Sequence, residues 1–252
     1  MIKQIKLFGT AIVFFTRIPL PASLQEFKNL DQASRYFPLV GWIVGGFGAL
    51  VYSVAALGLP HNISLILSMI GTIWITGAFH EDGLADVCDA FGGGWEKKRI
   101  LEIMKDSRIG TYGTVGLIMS LALKFFLLYE SPSYYIPIIL ISAHSISRFA
   151  AVTFMYTHEY VSEDATSKSK SIVKKMKLKE LIVAGVFGLL PLAMFFDVWY
   201  LLLIFPVILA KALLANWFQK WIGGYTGDCL GTTQQITEIV FLISGLSLWR
   251  FI

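Results

Sequence analysis

Long apolar runs separated by short polar segments dominate this chain. A hydrocarbon core about 30 Å thick takes roughly 20 predominantly apolar residues as a helix. Runs of that kind recur at 36–58, 63–80, 113–129, 135–156, 180–196, 198–216 and 236–252. The expectation is an all-α polytopic membrane protein with about seven transmembrane helices, within a range of roughly six to eight. Lys3 and Lys6 ahead of the apolar run Leu7 to Phe15 look superficially like a leader. Arg17, Pro19 and Pro21 follow at once with no small-residue cleavage site, so a short helix lying along the membrane interface is expected instead. No fixed-period repeat or composition shift divides the chain, and residues 1–252 are taken as a single integral-membrane helical domain.

The polar segments assign an orientation. With the N-terminus inside, segments 81–112, 157–179 and 217–235 fall on the cytoplasmic side, and turns near 59–62, 130–134 and 197 fall outside. Lys97, Lys98, Arg99, Lys105 and Arg108 lie in the first inner segment, and Lys168, Lys170, Lys174, Lys175, Lys177 and Lys179 in the second; the outer turns carry no Lys or Arg. This is the asymmetry of the positive-inside rule. It puts every polar segment dense enough for chemistry on one face, together with Arg17 and Arg35. The hydrophilic run Ser162 to Ser171 is expected to be a solvated loop whose lysines face anionic lipid.

Composition agrees: 56% of the 252 residues are hydrophobic and 15% charged, with a mean hydropathy of +0.66 and a pI near 9.0. In a soluble protein a net charge of +4 would suggest nucleic acid; here topology accounts for the cations and no nucleic-acid partner is required. Cys88 and Cys229 have no Cys-x-x-Cys spacing, which argues against a zinc site or a disulfide framework, so both are expected to be reduced thiols.

The candidate chemistry begins where the second run ends, in His80-Glu81-Asp82-Gly83-Leu84-Ala85-Asp86-Val87-Cys88-Asp89-Ala90-Phe91-Gly92-Gly93-Gly94. Asp82, Asp86 and Asp89 have i, i+4, i+7 spacing and share one helix face. Three stacked carboxylates at a membrane edge repel one another and call for a cation, and oxygen ligands alone favour Mg²⁺. Glu81 is counted with them as a candidate metal ligand although it points, like His80, to another side of the helix. Gly83, Ala85 and Ala90 leave room for a bulky ligand, and Gly92 to Gly94 end the helix, with Gly92 and Gly93 candidate substrate contacts. The plainer alternative is a helix end whose acids face water.

Lys105-Asp106-Ser107-Arg108-Ile109-Gly110-Thr111-Tyr112-Gly113 mixes cations, an acid and glycines at the start of the third run. Lys105 and Arg108 beside helix N-terminal amides suit phosphate oxygens, and Asp106 suits a metal shell or a nucleophile; a basic interfacial anchor is the simpler reading. Gly223-Gly224-Tyr225-Thr226-Gly227-Asp228-Cys229-Leu230-Gly231-Thr232-Thr233 sets Asp228 among glycines before the last run, with Gly227 able to admit a ligand and a plain turn as the alternative. In the fourth run His144 and Arg148 share a face beside Ser145 and Ser147, and a buried arginine needs an anion, for which a phosphate or Asp89 would serve. Lys124 and Lys211 are read as ambiguous, able to snorkel to the interface.

His80 to Gly94, Lys105 to Gly113 and Gly224 to Gly231, with Phe15-Thr16-Arg17-Ile18-Pro19-Leu20-Pro21, resemble the signatures of the adenosylcobinamide-GDP ribazoletransferase (cobalamin synthase) family, and the matches run from residue 15 to 231. The resemblance implies an enzyme of the bacterial inner (cytoplasmic) membrane with its site facing the cytoplasm. It implies Mg²⁺-dependent transfer from adenosylcobinamide-GDP to α-ribazole, or its 5′-phosphate, with release of GMP. On this expectation Asp82, Asp86 and Asp89 hold Mg²⁺ on the diphosphate while Lys105, Arg108 and Arg148 neutralise phosphate charge. Asp106 or Asp228 positions a ribazole hydroxyl or takes its proton. Partners implied are the small-molecule substrates, membrane lipid and the pathway enzymes that make the substrates; physical association with those enzymes, and oligomerisation, are left open.

Two rivals remain at this level. A CDP-alcohol phosphotransferase also sets helical aspartates around metal, in a pattern resembling Asp-x-x-Asp-Gly-x-x-Ala-Arg, but here Asp86 follows the Ala and no Arg stands there. A divalent-metal transporter would place its acids near the midplane, often in inverted repeats, whereas these acids cluster at one edge.

Overall fold

The computed structural model describes residues 2–161 and 175–249. The expected lipid-facing run 162–171, with Lys168, Lys170 and Lys174, lies outside the described residues. The chain folds as α1 (Ile2–Phe15), α2 (Leu30–Ala33), α3 (Phe37–Ala55), α4 (His61–Thr76), α5 (Phe79–Gly93), α6 (Lys97–Met104) and α7 (Thr111–Tyr129), followed by α8 (Ile136–Val152), α9 (Phe154–Thr157), α10 (Leu178–Leu189), α11 (Ile204–Ile222) and α12 (Gly227–Leu248). Short 3₁₀ turns link several of them, and the strand-like pairing among the described residues is one isolated bridge between Tyr160 and Tyr225.

The all-α polytopic class stands, and the candidate spans among the described residues, five or six, reach the lower end of the expected six to eight. Among the described residues five stretches are long and apolar enough to cross a membrane: Leu30–Ala55, Thr111–Tyr129, Ser133–Thr157, Leu178–Phe195 and Val198–Ile222. α4 and α5 make a sixth only as a pair bent by 87°. The last expected run, 236–252, belongs to α12, which begins at Gly227 and has 22 residues. At 1.5 Å per residue that is long enough to span, but its first half is polar and packs inside the bundle, against α5, α7, α8 and α11.

The bend decides where the acidic motif goes. The sequence places it straight after the run 63–80, but α4 ends at Thr76, where Gly77 (φ 68°) and Ala78 (φ 59°) are both left-handed. The Ala78 N–H closes onto the Ile73 carbonyl at 2.9 Å, a Schellman-type stop. Left-handed backbone suits Gly77 but costs about 1–2 kcal/mol at Ala78. The Arg17 N–H donates to the Ile75 carbonyl at 2.7 Å and its guanidinium lies over Gly77, so the segment after α1 pins the corner.

α8 is the most enclosed of the apolar helices, buried along most of its length. α3 packs on it backbone to backbone: a Cβ on Gly45 would lie 2.6 Å from the Ile141 Cα, so only glycine allows this approach. Trp42 locks the layer by donating to the Phe187 carbonyl at 2.8 Å and to the Ser145 hydroxyl at 3.0 Å. The turn expected near 197 is present, with Phe196 left-handed (φ 54°) and the Asp197 carboxylate accepting from the Trp199 N–H. α1 buries Leu7, Ala11 and Phe15, one face at i, i+4, i+8.

Candidate active site

α5 lies across the first turns of α7 and α12, and this crossing gathers the acids. Gly83 meets the start of α12 so closely that a Cβ there would come within 3.1 Å of the Asp228 backbone. The Thr232 hydroxyl donates to the Gly83 carbonyl at 3.0 Å and fixes the crossing. Asp228 thereby joins the α5 row: Asp82, Asp228 and Asp89 are the like-charged neighbours acting on Asp86. Asp82 is exposed, and Asp86, Asp89 and Asp228 are half-buried. Arg35, Lys98, Arg99, Arg108, Lys124, Lys175 and Lys179 pair with other carboxylates.

A group of neighbouring carboxylates is the donor chemistry of a hard divalent ion. No three of the described His, Cys, Asp or Glu side chains converge tightly enough to hold an ion unaided. That is compatible with Mg²⁺, which commonly takes one or two carboxylates and fills its remaining positions with water and substrate phosphate.

Asp89 is occupied differently. Its oxygens accept the Gly110 N–H at 2.6 Å and the Gly113 N–H at 2.8 Å, at the N-terminus of α7. The amides that the sequence offers to a phosphate are thus taken by a side chain of the protein, which anchors α7 to α5. A Cβ on Gly113 would collide with the Asp89 carboxylate.

The loop between α6 and α7 carries Lys105, Asp106 and Arg108. Asp106 accepts from the Arg108 guanidinium at 2.9 and 2.5 Å and from its backbone N–H at 3.1 Å. That contact holds the Asp106 carboxyl down at about 2, and it ties up the acid, while Asp228 faces the acidic row. Arg108 is 87% exposed. Gly92 lies under the Tyr112 ring and Gly93 near Ile103, so their smallness serves the packing of α7 and α6 against α5.

Two cavities adjoin this end. One, of about 210 Å³, is lined by Lys105, Tyr160, Thr226, Gly227 and Asp228 among others. The second, about 140 Å³, is walled mainly by aromatic and aliphatic side chains and shares Tyr160 and Gly227 with the first. The Tyr160 segment is held there by the Val161 N–H to the Tyr225 carbonyl, 2.8 Å, and the Tyr225 N–H to the Glu159 carbonyl, 3.1 Å. Burial, and then the nearby Asp228, push the Tyr160 phenol above its ordinary value, so it stays protonated and able to donate.

Behind the acids lies a charged network that the sequence shows only in part. Lys124 pairs with Glu238 at 3.0 Å and donates to Gln235 at 3.0 Å; Gln235 donates to Glu81 at 2.9 Å. Gln234 donates to Glu238 at 2.6 Å, and the His144 ring lies 3.5 Å from the same carboxylate. Arg148 reaches the His144 ring at 3.2 Å and its carbonyl at 2.9 Å. Arg148 therefore meets the network around Glu238, not Asp89, and Lys124 is 6% exposed and paired where snorkelling was an open reading. Glu81 turns inward, 7% exposed, away from the row of aspartates; its second oxygen has no partner among the described residues. Lys211 donates to Thr157 at 3.1 Å, above the Phe154 ring. Cys88 and Cys229 are both free, as expected.

Sequence reasoning missed Glu238, Gln234 and Gln235. Their signal is a stripe, Gly231, Gln234, Gln235 and Glu238 at helical spacing, which runs from the polar inner segment 217–235 into the expected run 236–252 and so straddles the expected boundary. Placed on a helix, it marks an inward face.

A helical bundle with several membrane-length segments, acids drawn to one end and two cavities beside them is an integral-membrane enzyme by layout. The chain belongs to the cobalamin-5-phosphate synthase family, whose model matches residues 7–246. It is similar to proteins named adenosylcobinamide-GDP ribazoletransferase: 44% identical to one from Shewanella piezotolerans, covering 94% of this chain and 93% of that one. Another, from Leptospira interrogans, is 45% identical over 97% and 96%, and one from Ralstonia pickettii 44% over 95% and 94%. No solved structure matches the chain.

Proposed function

We propose that this protein is an adenosylcobinamide-GDP ribazoletransferase, joining α-ribazole or its 5′-phosphate to the corrinoid in cobalamin synthesis and releasing GMP. The observation that carries the reading is the gathering of Asp82, Asp86 and Asp228 at the α5–α12 crossing, in a chain whose family and named relatives cover nearly its whole length. The acidic end faces the cytoplasm of a bacterial inner membrane, an orientation supported by the Lys and Arg of segments 81–112 and 157–179.

Asp82 and Asp86, with Asp228 beside them, are the residues that would hold Mg²⁺ together with the substrate diphosphate. When bound, the ion supplies charge neutralisation for the diphosphate and its leaving group. Lys105 lines the cavity next to Asp228 and meets phosphate oxygens there. Arg108, largely exposed beside it, is a second phosphate contact at the mouth. A ribose hydroxyl of ribazole attacks the corrinoid-side phosphorus: its oxygen forms the new P–O bond, the bond to the bridging oxygen breaks, and GMP departs with that oxygen. Asp228 orients the hydroxyl and takes its proton, since Asp106 is held by Arg108. Asp89 keeps α7 in register with α5, and the network around Glu238 holds α5, α7, α8 and α12 in place.

Purified protein in liposomes, given adenosylcobinamide-GDP, α-ribazole and Mg²⁺, is expected to yield corrinoid product and GMP in equal amounts by chromatography. Folded protein that gives neither overturns the assignment.

A further inference from the structure

We infer that the smaller cavity, between α1, α3, α5, α8 and α12, is the seat of the acceptor's aromatic base, with Arg148 as its hydrogen-bonding and specificity-determining residue. The inference rests on the activity proposed above and names the substrate part this second cavity takes. At about 140 Å³ its volume is close to that of an engineered apolar cavity, about 150 Å³, that holds benzene. The walls are aromatic faces and edges: Phe15 stands edge-on to Phe37 with ring centres 4.2 Å apart, and Tyr160 edge-on to Tyr225 at 5.6 Å. Planar rings favour such offset and edge contacts.

Polarity selects among aromatic ligands. Besides two tyrosines, the polar side chains on the wall are His80 and Arg148. Arg148 is 2% exposed, and its Nε–H has no partner among the described residues, although its terminal nitrogen binds His144. A buried donor left unmatched calls for an acceptor. A benzimidazole nucleoside offers one: a single unsubstituted ring nitrogen on an otherwise hydrocarbon bicycle. Guanine does not fit, because its N–H edge needs acceptors and no carboxylate or amide side chain lines this wall. An acyl chain would fill the space but leave the Arg148 donor unmatched.

The position also suits the chemistry. Gly227 and Tyr160 border both cavities. A Cβ on Gly227 would meet nothing within 4 Å, so a ribose can lie over it and direct a hydroxyl at Asp228. Base, sugar and attacking oxygen then follow one path from the aromatic cavity to the acidic end.

Ala151 lines the cavity and is 7% exposed, so Ala151→Leu fills it without touching a polar group. The test uses the full chain in lipid nanodiscs and follows α-ribazole binding through its benzimidazole fluorescence, with no corrinoid present. Wild type is expected to bind saturably and free 5,6-dimethylbenzimidazole to compete. Ala151→Leu should weaken binding at least about tenfold, and Ala151→Val by an intermediate factor, from overpacking. In turnover, KM for α-ribazole should rise while KM for adenosylcobinamide-GDP stays within about twofold. Wild-type α-ribazole affinity in folded Ala151→Leu and Ala151→Val overturns the inference even where turnover occurs. A raised KM for the corrinoid nucleotide alone overturns it too, as does a co-purified acyl chain displaced by Ala151→Leu with α-ribazole affinity unchanged. Binding that depends on Ala151 in a protein that makes no product supports the cavity and sinks the proposed activity instead.

Discussion

Replacing Glu238 with Gln removes one charge from the centre of the bundle and almost no volume. Within the buried network Glu81 and Glu238 stand against Lys124 and Arg148, all at most 7% exposed, so the set balances. In Glu238→Gln, Glu81 faces both cations, and Lys124 loses its partner at 3.0 Å. Removing one member of a buried pair typically costs about 3–5 kcal/mol, because the other charge is left without compensation. The isosteric amide keeps part of the hydrogen bonding, so the lower end, about 3 kcal/mol, is expected. For a chain of this size that is a fall in thermal midpoint of roughly 6–12 °C, measurable by tryptophan fluorescence in detergent, where the chain's seven tryptophans report. The double variant Lys124→Met/Glu238→Gln restores the balance, Glu81 against Arg148, and should recover at least about half of the loss. A double variant less stable than Glu238→Gln would refute the charge-balance reasoning. So would a single variant within about 1 °C of wild type.

Further outcomes follow from the same contacts. Gly113→Ala forces Asp89 off the α7 N-terminus; a stability loss of about 1–2 kcal/mol, typical of a lost cap, should appear in thermal melts with a drop in turnover. Asp106 has its folded value lowered to about 2, so its contact with Arg108 is complete above the ordinary carboxylate range and is lost only as pH falls through about 2. The pair therefore adds no step to the pH–rate profile between about 5 and 9, and Asp106→Asn leaves the thermal midpoint unchanged because the pair is solvent-exposed. Gly83→Val separates α5 from the start of α12, moves Asp228 away from Asp82 and Asp86, and should cut turnover at least about a hundredfold; wild-type activity in that variant would place Asp228 outside the reaction.

The class of fold was plain in the sequence because a membrane span is a length-and-apolarity signal that needs no partner to be read. The helix carrying Asp82, Asp86 and Asp89 was equally legible, since i, i+4, i+7 is a local pattern. What escaped was decided across the bundle. The 87° corner depends on Gly77 and Ala78 both adopting left-handed backbone, and an Ala there gives no warning. α12 begins at Gly227 and not at 236, because Gln234 and Gln235 read as part of the polar inner segment until α5, α7 and α8 supply their partners. Asp89 looked like its two neighbours on α5, and only the tertiary approach of Gly110 and Gly113 gives it another contact.

The central claim is that the acids at the α5–α12 crossing hold a divalent ion on the substrate diphosphate. The direct measurement is GMP release as a function of Mg²⁺ concentration, for wild type and for Asp86→Asn shown to insert and to bind α-ribazole normally. Wild type should lose activity in EDTA and regain it with Mg²⁺, and Asp86→Asn should need at least about tenfold more Mg²⁺ or fail to turn over. Superimposable Mg²⁺ titrations, or full wild-type activity in EDTA, would contradict it.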